Sequence, residues 1–135
     1  MKTILFVDDE LHRISSLIDL FEDDGYKIAT ASSAAEALRF LSDKSFTLDL
    51  IILDMIMGYD GVDFSENETD FGLHTGLVML RRIRESRPEV PVIIYTANPD
   101  HQVERSAIDV GAAAYFVRPV NYQTLLQTVK DLTTK

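Results

Sequence analysis

Short apolar runs that stop at polar residues alternate along this chain with segments whose apolar positions recur every three or four residues. Ile4 to Val7 is a partly β-branched run ending at Asp8, Asp9 and Glu10, the pattern of a strand buried on both faces of a parallel sheet. Leu11, Ile14, Leu17, Ile18 and Phe21 follow at helical spacing, and Asp23, Asp24, Gly25 close that segment with turn residues and a glycine cap. Tyr26 to Ala31 reads as a second strand. Ser33, with Glu36 three positions on, is a capping-box signature that opens a second helix through Leu41. Leu48 to Leu53 is the most apolar strand candidate and stops at Asp54. A long polar stretch from Gly58 separates it from renewed helical periodicity at Leu77, Leu80 and Ile83. Val92 to Tyr95 forms a fourth strand ending at Thr96, followed by a helix closed by Gly111. A fifth strand, Ala113 to Val117, ends at Arg118 and Pro119, and the last helix carries Leu125, Leu126, Val129 and Leu132.

Five strands alternating with five helices predict a doubly wound α/β fold, a five-stranded parallel sheet covered on both faces, because parallel neighbours need crossover connections. At 135 residues the chain is near the length of about 150 expected for one domain, so a single domain over 1–135 is expected. Its 46% hydrophobic and 26% charged residues are ordinary for a globular protein. The net charge of −9 repels phosphate backbones and anionic lipid, which argues against direct nucleic-acid or membrane binding. With no cysteine, disulfides, thiolate metal sites and cysteine nucleophiles are excluded. The apolar start is too short for a signal-peptide core or a membrane span, and a cytoplasmic protein is expected.

In doubly wound sheets, ligands bind beyond the carboxyl ends of the strands near the point where strand order reverses. The residues that end strands here are Asp8 and Asp9, Asp54, Thr96 and Arg118. Carboxylates gathered at one sheet edge repel one another unless a cation sits between them, and a hard divalent ion such as Mg²⁺ suits oxygen donors. Mg²⁺ retains positions for water and phosphate oxygens, so the constellation fits phosphoryl transfer, with the Thr96 hydroxyl and the Arg118 cation as further phosphoryl ligands. Taken singly, each acid is equally well a strand end or a helix cap.

In this order and spacing, the strand ending in Asp8 and Asp9, the Leu53–Asp54–Met55 segment, Tyr95–Thr96–Ala97 and Val117–Arg118–Pro119 resemble the receiver domain of two-component response regulators. That family belongs to the CheY-like, flavodoxin-like superfamily, and the resemblance covers essentially the whole chain. It implies that Asp54 accepts a phosphoryl group from a histidine kinase or a histidine phosphotransfer protein. It also implies that Asp9, Asp54 and the backbone carbonyl of Ile56 ligate Mg²⁺, with Asp8 acting through water. Thr96 would bind the phosphoryl group, Tyr115 would be the aromatic that changes rotamer, and Pro119 would follow a cis peptide bond. Phosphorylation would then alter a protein-binding surface on the fourth helix, fifth strand and fifth helix. The partner would be a downstream protein or an output domain, and activation could bring homodimerisation. Such a domain is a phosphoacceptor rather than an enzyme, apart from catalysing its own Mg²⁺-dependent phosphorylation and dephosphorylation.

Two features depart from the family pattern. Arg118 stands where Lys is usual, and a planar fork is not a point ammonium. Beyond Asp54, the usual Pro and short Asp-Gly turn are replaced by Gly58 and an acidic insertion over about 58–74, leaving either Asp60–Gly61 or Gly76 as the counterpart of that turn. No Lys or Arg lies between Lys44 and Arg81, whereas Asp49, Asp54, Asp60, Asp63, Glu66, Glu68 and Asp70 do. Three readings of the insertion stay open: partner recognition through Tyr59, Phe64 and Phe71, a second metal site, or a solvated mobile loop. His12, His74 and His101 lack zinc-ligand spacing and read as surface or capping residues. An alternative function is an atypical receiver that binds a partner without phosphorylation. A phosphohydrolase with an Asp nucleophile would usually carry an acid two residues on, where this chain has Ile56.

Overall fold

The structure is a computed structural model that describes residues 1–69 and 72–134. Its strands are β1 (Thr3–Val7), β2 (Lys27–Ala31), β3 (Leu50–Leu53), β4 (Val92–Thr96) and β5 (Ala114–Val117). They form one parallel sheet in the order β2-β1-β3-β4-β5. The chain steps outward from β1 to β2 and then returns past β1 to β3, so the strand order reverses between β1 and β3. A crevice opens at that point beyond the carboxyl ends of the strands.

The α-helices are α1 (Ser15–Asp23), α2 (Ala34–Ser42), α3 (Glu66–Thr69), α4 (Thr75–Ser86), α5 (His101–Val110) and α6 (Tyr122–Thr133). Six helices replace the expected five because a four-residue helix, α3, forms inside the acidic segment. The expected fourth and fifth helices are therefore α5 and α6. The first helical segment begins as a 3₁₀ turn over Leu11–Ile14 before α1.

Alternation along the strands divides the core into two layers. Leu5, Val7, Ile51, Leu53, Val92 and Ile94 face α2, α4 and α5. Ile4, Phe6, Leu50, Ile52 and Ile93 face α1 and α6, where Phe21, Leu125 and Val129 close the layer. The cap of α2 forms as the sequence suggests, with Glu36 N–H donating to Ser33 Oγ at 3.1 Å. The Glu36 carboxylate accepts from Ser32 N–H rather than from Ser33. Gly25, just past α1, has φ +95°, a backbone state open to glycine without the strain a Cβ brings.

The described residues of the acidic segment carry a network of hydrogen bonds. Ser65 Oγ accepts from Glu68 N–H while Glu68 Oε1 accepts from Ser65 N–H, a reciprocal capping box that starts α3. Thr69 is fully buried and donates its hydroxyl to Ser65 O at 2.9 Å. Both ends of the segment are fastened to Met57, whose N–H donates to Gly72 O at 3.1 Å and whose carbonyl accepts from Thr75 Oγ1 at 2.6 Å. Phe64 is buried in the α2/α4 layer, and Arg82 of α4 pairs with Asp63 at 2.9 Å with its guanidinium 5.1 Å from the Phe64 ring. Phe64 is thus an anchor, which corrects its reading as a recognition aromatic. Tyr59 is half-buried, and Phe71 and Asp70 lie outside the described residues.

Candidate functional site

Each strand-end residue owes its position to the sheet ladder continuing one step beyond the strand. Asp8 N–H donates to Ala31 O at 3.0 Å, Asp54 N–H to Val7 O at 2.9 Å, and Arg118 N–H to Thr96 O at 2.8 Å. Neighbouring strands therefore deliver these side chains to the same edge. Carboxylate oxygens of Asp8, Asp9 and Asp54 all lie within 4.8 Å of one another. Among the described residues this is the one group of three or more His or acidic side chains close enough to share an ion. Three hard oxygen donors around one point fit Mg²⁺ and fit no soft metal.

Asp8 and Asp54 are buried and Asp9 is exposed. Arg118 reaches into the group, its Nη2 2.7 Å from Asp8 Oδ2 and 2.9 Å from Asp54 Oδ2. The same nitrogen donates to Tyr95 O at 3.2 Å, and the guanidinium carbon lies 5.0 Å from the centre of the Tyr95 ring. The peptide bond between Arg118 and Pro119 is cis, as expected.

Burial raises the Asp54 carboxyl above its ordinary value, and the Asp8 charge adds to this. The Arg118 guanidinium, the Thr96 hydroxyl and the Ile56 N–H pull it down without cancelling the burial. Asp9 is also raised, first by partial desolvation in the crevice and then by the charges of Asp8 and Glu10. Both shifts come first from burial, with neighbouring carboxylates adding in the same direction.

Thr96 is fully buried, and its Oγ1 accepts from Asn98 N–H at 3.3 Å. Ile56 N–H donates to Asp54 Oδ1 at 3.2 Å, which shapes the turn after β3 around the carboxylate. Tyr115 stands on β5, half-buried, with its hydroxyl donating to Asn98 O at 2.8 Å. Burial, followed by the charges of Glu104, Asp100 and Asp54, pushes its phenol up to about 12. Asp8, Asp9, Asp54, Thr96 and Arg118 are thus gathered at one edge, and Tyr115 is tied to the loop that follows Thr96.

Three residues, two beside the site and one at the far end of α4, escape a reading by strand ends. Gly76, in the first turn of α4, donates its N–H to Met55 O at 2.8 Å. A Cβ on Gly76 would lie 2.4 Å from the Asp54 carbonyl oxygen, so the helix approaches the Asp54–Met55 backbone as only glycine allows. Gly76, rather than Asp60–Gly61, closes the turn after Asp54. Arg87, at the end of α4, is buried and donates to the carbonyls of Leu41, Asp43 and Phe46, which ties α4 to the segment between α2 and β3. Tyr95 was legible as a strand residue, but its contact with Arg118 needs the two strand ends side by side.

A sequence model described as the response regulator receiver domain matches residues 4–130. This chain belongs to that family, the receiver domains of two-component response regulators. It is 36% identical over 130 residues to the alginate biosynthesis transcriptional regulatory protein AlgB of Pseudomonas putida, covering 96% of this chain and 25% of AlgB. It is 29% identical over 127 residues to the transcriptional regulatory protein ZraR of Escherichia coli, covering 94% of this chain and 25% of ZraR. The chain therefore spans about a quarter of the length of these curated relatives. Among solved structures, a response regulator receiver domain protein of Clostridium thermocellum superposes with a TM-score of 0.80 at 30% identity, over 98% of this chain and 94% of that one. The response regulator TrrA of Thermotoga maritima, solved in complex with Mg²⁺-BeF, superposes with a TM-score of 0.74 at 31% identity, over 98% and 99% of the two chains. No helix among the described residues is long and apolar enough to cross a membrane.

Proposed function

We propose that residues 1–135 form a single receiver domain with an acidic insertion at about 58–74, and that Asp54 is its phosphoacceptor. The observation that carries this reading is the convergence of Asp8, Asp9 and Asp54 within 4.8 Å at the reversal of strand order, with Arg118 and Thr96 on the adjoining strand ends. Asp9, Asp54 and the Ile56 carbonyl would hold Mg²⁺, with Asp8 acting through water. When bound, the ion supplies positive charge to the oxygens of the transferred group.

The step itself asks little covalent chemistry of the protein. An Asp54 carboxylate oxygen forms a bond to phosphorus as the bond from phosphorus to the donor's histidine nitrogen breaks. The nitrogen leaves with the bonding pair and takes up a proton from solvent. The loose transition state spreads charge over three equatorial oxygens, so placement and cations matter most. Asp54 is held by the Ile56 N–H on one oxygen and by Arg118 on the other. Arg118, already beside the Asp54 carboxylate, donates to the new phosphoryl oxygens, which its planar fork can engage through two parallel donors. Thr96 donates its hydroxyl to a further oxygen, and Tyr115 exchanges its bond to Asn98 O for another position. The gain of charge at one sheet edge biases the surface of α5, β5 and α6 toward a downstream protein, a further domain of a longer protein, or a second copy of the domain. A histidine kinase or histidine phosphotransfer protein is the donor, and the setting is the cytoplasm.

The test is intact mass after incubation with Mg²⁺ and acetyl phosphate. Gain of one labile phosphoryl group by the parent and not by Asp54→Asn supports the reading, and gain by neither overturns it. One observation favours a second reading, a binding module that works without phosphorylation: Arg118 already pairs with both Asp8 and Asp54. If Arg118→Lys is modified while the parent is not, this second reading replaces the first.

A further inference from the structure

We infer that Tyr95 is the positioning residue that lets an arginine serve at 118, by fixing the plane of the guanidinium between the Asp8 and Asp54 carboxylates. The inference rests on the proposed phosphoacceptor role and deepens it. Arg118 carries a long side chain with many rotamers, and a fork is useful only when its plane is set. Its carboxylate and backbone contacts all fall on Nη2: Asp8 Oδ2 at 2.7 Å, Asp54 Oδ2 at 2.9 Å and Tyr95 O at 3.2 Å. Contacts to one nitrogen leave the rest of the group free to pivot about it, and Nε is buried without a hydrogen-bond partner.

The Tyr95 ring removes that freedom, with the guanidinium carbon 5.0 Å from its centre. An aromatic face attracts the cation and, for a planar group, selects an orientation as well. Tyr95 therefore holds Arg118 twice, by ring and by carbonyl, and the ring contact is the one a side-chain substitution can remove. Its own place is secured by the β4 ladder, where Tyr95 pairs with Phe116, and by packing in the α1/α6 layer. A lysine ammonium has no plane to fix, so the ring matters to arginine far more than to lysine.

The test compares Tyr95→Phe, which keeps the ring, with Tyr95→Leu, which keeps apolar bulk and the carbonyl, in the parent and in Arg118→Lys. Two readouts are taken: the initial rate of phosphorylation by acetyl phosphate with Mg²⁺, and the solvent-exchange rate of the Arg118 Nε–H by ¹⁵N NMR. In the arginine background, Tyr95→Leu is expected to slow phosphorylation about fivefold, the rate equivalent of one partly desolvated cation–π contact. It should also speed Nε–H exchange, while Tyr95→Phe stays within about twofold of the parent by the same measure. In the Arg118→Lys background, Tyr95→Leu should change the rate less than about twofold. Equal losses in both backgrounds would make Tyr95 a general support of the sheet edge and overturn the inference, as would an unchanged Nε–H exchange rate in Tyr95→Leu. The exchange measurement needs no phosphorylation, so a parent that takes up no phosphoryl group defeats the phosphoacceptor reading while the role of Tyr95 is still decided.

Discussion

Arg118, just past β5, and Asp54, just past β3, approach to 2.9 Å, and Asp8 lies 2.7 Å from the same guanidinium nitrogen. One cation faces two buried carboxylates and a third, exposed one at Asp9. Carboxylates partly desolvated and crowded around one cation set most of the expected behaviour of the site.

The first consequence concerns stability and pH. The Asp54 carboxyl is raised because its burial outweighs the pull of Arg118, so the folded protein holds that proton more tightly than the unfolded chain does. An acid raised on folding lowers stability as pH climbs from the ordinary value of 3.8 through its folded value, and above that folded value the deficit is complete. Asp54→Asn removes the deficit. Its Tm at pH 7 should exceed the parent's, and the gap should close as pH falls toward the ordinary carboxylate value. Thermal scans across that range check both points, and a gap that widens on acidification would contradict the sign.

Mg²⁺ should act on the same crowded carboxylates. At a concentration about tenfold above its Kd, a ligand that binds only the folded state stabilises by about 1.4 kcal/mol. Thermal melts with and without Mg²⁺ should show an increment of that order in the parent. Asp9→Ala should show almost none, because it removes a proposed ligand without touching the Arg118 pairs with Asp8 and Asp54. Equal increments in the two proteins would place the ion elsewhere.

Gly76 separates two physical effects that point in opposite directions. On helix propensity alone, Gly76→Ala should stabilise α4 by up to about 1 kcal/mol. The added Cβ would lie 2.4 Å from the Asp54 carbonyl oxygen and 2.6 Å from Met55 Cα, and backbone cannot yield as a flexible side chain can. Sterics should win, with a loss of about 1–3 kcal/mol in denaturant unfolding and slower phosphorylation as Asp54 is displaced. A stabilised variant would show that the helix can move away at little cost.

Arg87 gives the largest expected loss away from the site. Its guanidinium donates to Leu41 O, Asp43 O and Phe46 O, at 3.2, 2.9 and 3.1 Å. Arg87→Ala leaves the buried Leu41 carbonyl and the part-buried Asp43 and Phe46 carbonyls without this donor and should lower unfolding free energy by about 3 kcal/mol. Phosphorylation chemistry at the opposite end of the strands should persist below the lowered Tm. A loss under about 1 kcal/mol would mean that water replaces the guanidinium.

These residues also mark where sequence reading succeeds. The central strands β1, β3 and β4 were visible because a doubly covered parallel strand is a nearly unbroken apolar run, and each of these runs stops at a residue of the site. Asp8, Asp9, Asp54 and Thr96 were legible for that reason, Arg118 as the residue after β5, and the Ser33 cap with its Glu36 partner by its spacing. The Ser65 and Glu68 capping box has the same spacing and was equally readable, but it lay in a stretch without apolar periodicity. Arg87 and Tyr95 were hidden for a different reason. Both act through partners set by tertiary placement: Arg87 through carbonyls of Leu41, Asp43 and Phe46, and Tyr95 through Arg118 on the adjoining strand end. No local pattern in the sequence encodes such pairings. Gly76 fell between these cases, named as a candidate and decided only by its close approach to Met55 and Asp54.

The central claim is that Asp54 itself carries the phosphoryl group, and its most direct test is to locate the modification. The parent is incubated with acetyl phosphate and Mg²⁺, the acyl phosphate is reduced with borohydride, and the peptides are sequenced by mass spectrometry. The account expects the reduced residue, homoserine, at position 54 and nowhere else, and none when Mg²⁺ is chelated. Homoserine at Asp8 or Asp9, or a Mg²⁺-independent product, would contradict it.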